Sequence, residues 1–435
     1  MSDVVKCAHC AAISHSEPTE DINSNCMFCF GLFTRFLSDD FVNEVVAEFS
    51  KYKKCDSVFS LSFEFPPALY LTQILLYFSA NSEYKVNDDV VFNTKSAYKS
   101  LLLPKLQSQI THAYTHHGGI EIHIHLTDDL TESYLFKLNS FCCEMRPLSK
   151  RSKQDILQNN QQLLDILRVT SLSRVLEKVS PLQLPSPKGF VKIRTPSIFI
   201  GGRYCKFSRK CSQSNWVING KQMSEFSVED LISRPFLKLF AASEAVFRAS
   251  GREDIDVLML GNGRPFSIEF VCPMFSQFKQ DDIDNVTSEV NSSTIISINS
   301  VKIINKNDLK VIKEGEELKR KHYSAVIYCQ NGCPSTKQLD ELVQRKELVI
   351  HQKTPIRVLH RRPLLTRERM IHSMNWKQLD EKHFMLQLIT QSGTYVKEFV
   401  HGDLGRTVPN VKALLNTEAD IIQLDVDHVD LDWPL

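Results

Sequence analysis

Several common functional signatures are missing from this chain of 435 residues. It has no glycine-rich loop of the kind that holds a phosphate group, and the pair Gly261 and Gly263 is too short to serve as one. This absence argues against enzymes that need a nucleotide cofactor or ATP. The most apolar stretch, residues 67–80, is short and is interrupted by polar residues. It cannot span a bilayer, so we expect no membrane partner.

The first residues also lack a basic region followed by an apolar core. We therefore expect no secretory signal and a location in the nucleus, the cytoplasm or both.

A strong net charge is absent as well, because 52 Lys and Arg are balanced by 51 Asp and Glu. The distribution is uneven: residues 186–435 carry 35 basic against 30 acidic residues, and residues 1–185 carry 17 against 21. Basic residues concentrate in segments 188–210 and 357–369 and are interleaved with aromatic rings in the first. This is typical of segments that follow a nucleic-acid backbone, although a solvated strand and turn would have the same composition. The predicted phosphate contacts are Arg203, Lys206, Arg209, Lys210, Arg357, Arg361 and Arg362.

Four of the 12 cysteines have the spacing of metal ligands. Cys7 and Cys10 form one Cys-x-x-Cys motif, and Cys26 and Cys29 form a second motif 15 residues later. Two such motifs can place four thiolates around one tetrahedral zinc ion. In a chain without a secretion signal, reduced thiols that bind metal are expected rather than a disulfide framework. The sequence therefore predicts a structural zinc site, and the alternative is coincidence in a cysteine-rich chain.

Residues 119–126 alternate apolar side chains with Glu121, His123 and His125, which predicts a strand with one hydrated face. The two histidines raise the question of a second metal site. Exposed strand positions are the favoured interpretation, because the sequence offers no third ligand at a fixed spacing. The spacing of apolar residues also predicts a helix over 40–49, a strand over 59–65 and a buried helix over 68–78.

Three prolines within residues 180–188 are the clearest linker signal in the chain. We therefore predict two domains, residues 1–185 and residues 186–435. In the second domain many strands with interspersed helices predict an α+β fold with a mixed, largely antiparallel sheet. The predicted strands are 190–200, 255–259, 265–272, 297–304, 322–329, 348–351, 382–390 and 420–426.

Two helices are also predicted in this second domain. One covers residues 280–291. The other begins at Ser227, is broken or kinked by Pro235, and resumes as far as Ala249 before stopping at Gly251.

Asp254 is the candidate reactive acid. It follows a glycine and Arg252 at the entry to a strand-like apolar run, and a distant segment supplies Tyr395 and Lys397 two residues apart. On an extended segment these two side chains point the same way. Arg252 and Lys397 would hold a partly buried aspartate ionised, which is the form that a nucleophile or a general base needs. The competing acid is Asp256, which would share the face of Asp254 on an extended segment.

The motifs around these residues resemble those of pseudouridine synthases. Residues 251–254 read Gly-Arg-Glu-Asp, which resembles the family's Gly-Arg-x-Asp signature. Residues 321–325 and 392–397 look like its second and third motifs. A more specific resemblance is to the Pus-ten class, which modifies uridines 54 and 55 in the T-arm of tRNA. It rests on residues 261–266, 353–362, 397–403 and the closing Asp-Trp-Pro. The resemblance is dense from residue 190 onward, and the cysteine motifs extend it into the first half.

The resemblance implies roles for the candidate residues. Asp254 would be the one catalytic group, and Tyr323 would stack on the target base. Tyr395 and Arg252 would contribute to the substrate pocket, and Lys397 would pair with Asp254. The implied fold is a pseudouridine synthase catalytic domain over 186–435, preceded over 1–185 by a zinc-containing, THUMP-like α/β accessory domain that binds RNA.

The implied activity is the isomerisation of uridine to pseudouridine in tRNA, at position 54, position 55 or both. It needs no cofactor for catalysis, and Zn²⁺ would be structural. The expected partner is tRNA, with other structured RNAs as further candidates, and we expect a monomer. The alternative is a catalytically silent, zinc-containing protein that binds structured RNA. Such a protein would show damage at Asp254, Tyr323 or Lys397, and none is visible in the sequence.

Overall fold

The computed structural model describes residues 10, 26, 29–52, 54–80, 94–128, 130, 172–179, 188–360 and 362–434. The chain divides into two compact units, residues 1–196 and residues 197–435. Within those described ranges, no helix has both the length and the apolar character needed to cross a membrane.

The first unit combines helices with one mixed sheet. Its described helices are α1 (Leu32–Phe36), α2 (Asp39–Ser50), α3 (Pro67–Ala80), α4 (Thr94–Gln107) and α5 (Leu172–Val179). Its strands are β1 (Val58–Glu64), β2 (Ala113–Tyr114), β3 (Ile120–Thr127) and β4 (Lys188–Arg194), in the order β2-β1-β3-β4. β1 is parallel to β2 and β3, and β4 is antiparallel to β3. The predicted helix over 40–49, strand over 59–65 and helix over 68–78 are therefore confirmed within a few residues.

The apolar face of this sheet forms the core of the first unit. Phe59 on β1 and Ile122 on β3 are fully buried together with Val45 of α2. Ser38 begins α2, since its side-chain oxygen accepts a hydrogen bond from the Phe41 backbone N–H at 3.4 Å. Each fully buried side chain of this kind contributes about 1.5–3 kcal/mol. The alternation that predicted these strands is thus the pattern that builds the core.

The predicted domain boundary at residue 185 lies before β4, whereas the first compact unit extends along the chain to Pro196. β4 follows the three prolines and completes the first sheet, with Ile193 opposite Ile122 and Val191 opposite Ile124. Backbone pairing therefore assigns residues 188–194 to the first unit.

The second unit contains the larger number of elements. Its helices are α6 (Val228–Phe240), α7 (Gln280–Asn291), α8 (Leu309–Leu318), α9 (Thr336–Val343), α10 (Val396–His401) and α11 (Val411–Leu415). Its first strands are β5 (Ile198–Lys206), β6 (Cys211–Ser212), β7 (Val217–Ile218), β8 (Lys221–Gln222), β9 (Phe226–Ser227), β10 (Glu244–Ala249), β11 (Leu258–Val271) and β12 (Ile296–Ile304). The later strands are β13 (Lys321–Cys329), β14 (Leu348–Lys353), β15 (Thr366–Gln378), β16 (His383–Thr390), β17 (Thr407–Val408) and β18 (Ala419–Val429).

Ten of these strands form one sheet. Its order is β12-β5-β11-β18-β13-β16-β15-β14-β17, with β10 paired to β11 beside this path. β11 and β18 are parallel, whereas the other pairings of this sheet are antiparallel. The prediction of a mixed, largely antiparallel sheet is confirmed. The sheet brings β11, β13 and β16 close together although they are far apart in the sequence.

The helix predicted to run on to Ala249 is wrong in its second half. α6 begins at its Ser227 cap and passes through Pro235 without interruption, but it ends at Phe240. Ala241 adopts a left-handed conformation with φ 46°, and its N–H bonds to the Leu237 carbonyl. Residues 244–249 then form β10, because their backbone groups pair with β11.

Arg203, predicted to contact phosphate, is instead a buried structural residue. Its guanidinium donates hydrogen bonds to the carbonyl oxygens of Asn262 at 2.8 Å, Gly263 at 2.8 Å and Leu431 at 2.6 Å. Burial lowers its pKa, and the nearby Asp432 carboxylate acts in the opposite direction. Because the donors point inward to backbone acceptors, Arg203 ties β5 to the segment after β18 and is not presented to RNA.

Replacing Arg203 by Met should lower the stability of the second unit by roughly 3 kcal/mol, because several buried carbonyl groups lose their donors. The measurement is the urea dependence of tryptophan fluorescence. Arg234→Met is the matched control, since Arg234 is exposed and pairs with Asp230 of the same helix at 3.0 Å. Its effect should stay within about 0.5 kcal/mol. If the Arg203 variant kept its stability but bound nucleic acid more weakly, Arg203 would have to be interpreted as a phosphate contact again.

Candidate active site

A cleft of about 810 Å³ opens in the second unit. It brings together the loop before β11, the start of β13, the turn after β14 and the segment that leads into α10. All five predicted catalytic and substrate residues line it, namely Arg252, Asp254, Tyr323, Tyr395 and Lys397. The same walls carry further basic side chains: Arg264, Lys321, Arg357, Arg362 and Arg369.

The loop that carries Asp254 begins at Gly251. This residue has φ +88°, in the left-handed region that other L-residues rarely adopt. A Cβ atom here would lie 2.6 Å from Nζ of Lys321 and 3.1 Å from Nη1 of Arg264. Glycine is therefore required both for the turn and for the close approach of two cations.

Glu253, the residue before Asp254, anchors this loop in the core. Its carboxylate lies 2.8 Å from Nε of Arg264, and the side chains are 1% and 2% exposed. Tyr204 donates its hydroxyl to both Glu253 oxygens at 2.8 and 3.0 Å. Arg264 also donates to the Ser250 carbonyl at 2.8 Å. Burial raises the pKa of Tyr204 well above its ordinary value, and the Glu253 charge adds to this, so the phenol stays a donor.

Lys206, also predicted to contact phosphate, instead binds the backbone of the loop that carries Asp254. Its buried ammonium donates to the backbone carbonyls of Asp254 at 3.1 Å, Ile255 at 2.9 Å and Cys211 at 2.9 Å. Burial lowers the pKa of Lys206, and the negative charge of Glu253 partly opposes this. All three ammonium protons are used, so the predicted RNA contact is wrong and Lys206 instead fixes the Asp254 backbone.

The principal partner of the Asp254 carboxylate is Arg357. Nη1 of Arg357 lies 3.0 and 3.2 Å from the two Asp254 oxygens, and its Nε donates to Glu398 at 2.7 Å. Glu398 is 1% exposed, so one end of the guanidinium is fixed in the interior. Burial alone would lower the pKa of Arg357, but the two carboxylates outweigh it and raise the pKa. Arg357, predicted as a phosphate contact, thus pairs with two carboxylates, while 38% of its side chain remains exposed.

Lys397 pairs with both candidate acids. Its ammonium lies 3.4 Å from Asp254 and 2.8 Å from Asp256. Burial works to raise the pKa of Asp256, but the hydrogen bond and charge of Lys397 outweigh it and lower the pKa. Arg252, the second predicted counter-charge, has an exposed side chain and forms no ion pair with any described residue. The prediction that a cation pairs with Asp254 is met by Lys397 and Arg357 and not by Arg252.

Tyr323 and Tyr395 form parts of the cleft wall. Tyr323 lies on β13 between Leu388 of β16 and Val426 of β18. Burial raises its pKa, so the phenol remains protonated at neutral pH. Tyr395 is fixed by its backbone, which exchanges two hydrogen bonds of 2.9 Å with the Gln352 amide. The guanidinium carbon of Arg357 lies 6.0 Å from the centre of the Tyr395 ring.

The remaining predicted phosphate contacts have different surroundings. Arg209 pairs with Asp425 at 2.8 Å and donates to the Asp256 carbonyl at 2.7 Å, so it is partly engaged. Lys210 is exposed, and Arg362 is exposed at the cleft. Arg361 lies outside the described residues. Of the group, Lys210 and Arg362 are therefore the side chains best placed to meet RNA.

The predicted zinc ligands lie in the first unit. Cys10, Cys26 and Cys29 are buried, and their sulfur atoms all lie within 4.8 Å of one another. Cys7 lies outside the described residues. Four thiolates around zinc at about 2.3 Å would be roughly 3.8 Å apart, so this group is compact enough to hold the ion.

Arg357 and Glu398 are the functional residues whose role the sequence did not reveal. The available signal was local: Arg357 lies within residues 353–362, and Glu398 directly follows Lys397. Their contact joins positions 41 residues apart, and the Arg357 contact with Asp254 spans 103 residues. Such pairing depends on the sheet and cannot be read from spacing.

Comparison with known proteins agrees with the motifs in this cleft. Residues 199–430 match the family model described as Pus10, C-terminal, and residues 26–186 match the model described as eukaryotic Pus10, N-terminal. The human protein named tRNA pseudouridine synthase Pus10 is 36% identical over 97% of this chain and 82% of its own length. The protein of that name from Thermofilum pendens is 30% identical over 65% of this chain and 60% of its own length.

A solved pseudouridylate synthase aligns with 60% of this chain and 85% of its own at 11% identity, but its TM-score of 0.24 is too low to add weight. The two matched family models and the human relative carry the assignment, and they confirm the resemblance seen in the motifs. The chain therefore belongs to the Pus10 family, whose named relatives are tRNA pseudouridine synthases.

Proposed function

We propose that this protein is an enzyme that isomerises specific uridines of tRNA to pseudouridine, with Asp254 as the reacting group. One observation carries the proposal: the Asp254 carboxylate lies at a cleft between Arg357 and Lys397, and Tyr323 and Tyr395 line the same cleft. Two cations favour the ionised form of a carboxylate, which is the form needed for attack or proton removal. No cofactor is required for this chemistry.

The reaction changes the atom through which the uracil base is attached to the ribose. The bond between N1 and C1′ breaks, the base rotates, and C5 bonds to C1′. C5 then loses its proton and N1 takes one up, so that the product is an isomer of uridine. Asp254 acts at the sugar, either as a nucleophile at C1′ or as a base that leads to a glycal. The target uridine must first leave its stack, because the reacting atoms are shielded inside a folded RNA. A cleft of about 810 Å³ has room for a flipped nucleotide.

The tyrosines would hold the flipped base. Stacking on an aromatic side chain is worth about 1–3 kcal/mol per base, and Tyr323 is the proposed stacking partner. Burial raises the pKa of its phenol, so the hydroxyl would meet the base as a protonated hydrogen-bond donor. Tyr395 would complete the wall opposite the sugar. Arg252 and Arg362 are exposed at the cleft and would meet the phosphates on either side of the target.

Positions 54 and 55 in the T-arm are the proposed targets, because residues 261–266, 353–362 and 397–403 resemble the class that modifies them. The first unit is the proposed RNA-binding accessory part, with a THUMP-like arrangement and a structural zinc ion. The compact, buried group Cys10, Cys26 and Cys29 supports that zinc site, and Cys7 is the proposed fourth ligand.

Asp254→Asn should abolish isomerisation. We expect release of tritium from tRNA carrying 5-labelled uridine to slow by at least about 100-fold, because the amide can serve neither as nucleophile nor as base. Binding of tRNA should change little. Asp256→Asn is the matched control, since it removes a neighbouring charge held by the same lysine. Its effect should stay within about tenfold.

Release of tritium by the Asp254 variant at the wild-type rate would end the assignment of this residue. A wild-type protein that binds tRNA tightly but releases no tritium would favour the catalytically silent RNA-binding alternative.

Arg357→Lys should separate catalysis from binding. Lysine keeps the charge, but one ammonium cannot reproduce the simultaneous contacts with Asp254 and Glu398. We expect kcat to fall by about 100-fold while the KM for tRNA changes little, because the carboxylate is misplaced and the RNA contacts remain.

The matched control for that experiment is Arg362→Lys, which alters an exposed arginine of the same cleft. It should change KM or binding at raised salt and leave kcat nearly unchanged. Equal changes in kcat and KM for both variants would contradict a positioning role for Arg357.

Cys26→Ser should remove the structural zinc. Metal analysis of the purified wild type should find zinc, and the variant should lose it and unfold at a lower temperature, because structural zinc contributes directly to folding. Cys55→Ser is the control, since Cys55 is a buried cysteine of the same unit outside the cluster. A folded wild type without zinc would refute the site.

A further inference from the structure

A second group of potential metal ligands lies on the first sheet, away from the cysteines. Glu64 ends β1, and His123 and His125 lie on β3, where His125 is directly opposite Glu64 in the parallel register. One Glu64 oxygen lies 2.9 Å from Nδ1 of His125 and 3.5 Å from Nε2 of His123. The ligand atoms of all three side chains lie within 4.8 Å of one another. The sheet thus brings two imidazole rings and one carboxylate close together.

These separations suit a zinc ion. Zinc binds imidazole nitrogen and carboxylate oxygen at about 2.0–2.2 Å, so neighbouring ligand atoms of a tetrahedral site lie roughly 3.3–3.5 Å apart. The two nitrogen-to-oxygen distances of 2.9 and 3.5 Å bracket that separation. Two histidines and one glutamate also form a ligand set that zinc uses in proteins, with the fourth position left to water.

The surroundings support ligation by His123. Its other ring nitrogen, Nδ1, lies 2.7 Å from the hydroxyl of Ser62. A ligand histidine commonly donates its second N–H to an oxygen, which fixes the ring and its tautomer. With Nδ1 turned to Ser62, Nε2 is the nitrogen left to face Glu64. The His123 side chain is only 10% exposed, so its orientation is set by the fold.

Around His125 and Glu64, the group has an aromatic neighbour and a solvent-exposed carboxylate. His125 stacks on Phe190 of β4, with ring centres 6.5 Å apart. The nearest acid on the same strand, Glu121, is directed to Arg194 at 3.7 Å, so its charge is countered elsewhere. Glu64 is half exposed, which leaves a path for an ion to enter.

We propose that Glu64, His123 and His125 form a second zinc site, distinct from the cysteine cluster, that fastens the end of β1 to β3. The third ligand comes from the neighbouring parallel strand, which is why sequence spacing favoured plain exposed histidines. The site does not depend on the isomerase activity.

The test counts zinc in the full-length chain. Wild type, His125→Ala and His117→Ala are equilibrated with excess Zn²⁺, freed of loosely held metal by gel filtration, and analysed for zinc per chain. His117 is an exposed histidine in the loop before β3 and lies outside the group. We expect His125→Ala to hold one zinc fewer than both other proteins. Glu64→Gln, which keeps the size of an exposed side chain, should bind the second zinc at least about tenfold more weakly.

Cobalt separates this site from the cysteine site. Co²⁺ bound by thiolates has a sulfur-to-metal charge-transfer band, whereas Co²⁺ bound by nitrogen and oxygen has only weak visible bands. The His125 variant should lose the weak bands and keep the charge-transfer band. Equal zinc in wild type and His125→Ala would overturn the proposal. Loss of the charge-transfer band in His125→Ala and Glu64→Gln would also overturn it, because the missing metal would then belong to the cysteine cluster.

Discussion

The buried ion pair between Glu253 and Arg264 is the constraint on which the cleft depends. Both side chains are almost fully enclosed, and either charge alone in that interior would cost several kcal/mol. The pair therefore stays together and holds the loop before β11 against that strand. Because Glu253 is fixed inward, Asp254, the next residue, is directed to the cleft. The two acids of one short motif thus have opposite tasks, the first structural and the second proposed to be chemical.

Around Asp254 the charges alternate in sign. Glu398, Arg357, Asp254, Lys397 and Asp256 follow one another in a chain of ion pairs. Each cation beside Asp254 also pairs with a second carboxylate, Glu398 for Arg357 and Asp256 for Lys397. Other basic side chains of the cleft, such as Arg252 and Arg362, are exposed. The cations paired with Asp254 are thus different from the exposed arginines that we propose for the RNA phosphates.

Sequence patterns predicted what local physics determines. Apolar periodicity located α7 at residues 280–291 and five strands of the second unit, β12, β13, β14, β16 and β18, within a few residues. Motifs located Asp254, Tyr323, Tyr395 and Lys397, and the cleft contains all four. Composition failed for Arg203 and Lys206, because a basic side chain in a strand looks the same whether it faces water or backbone carbonyls. Apolar periodicity missed β15 and the end of α6, where pairing with a distant strand overrides local preference.

The chain of alternating charges has a further consequence for the newly made protein. Arg357 is 103 residues from Asp254, and Lys397 is 141 residues from Asp256. Contacts over such separations form only when the sheet between them closes. Until then Asp254 lacks the cleft, its tyrosines and the ion pairs with Arg357 and Lys397. The proposed reactive arrangement therefore exists only in the folded second unit, once the ten-stranded sheet is complete.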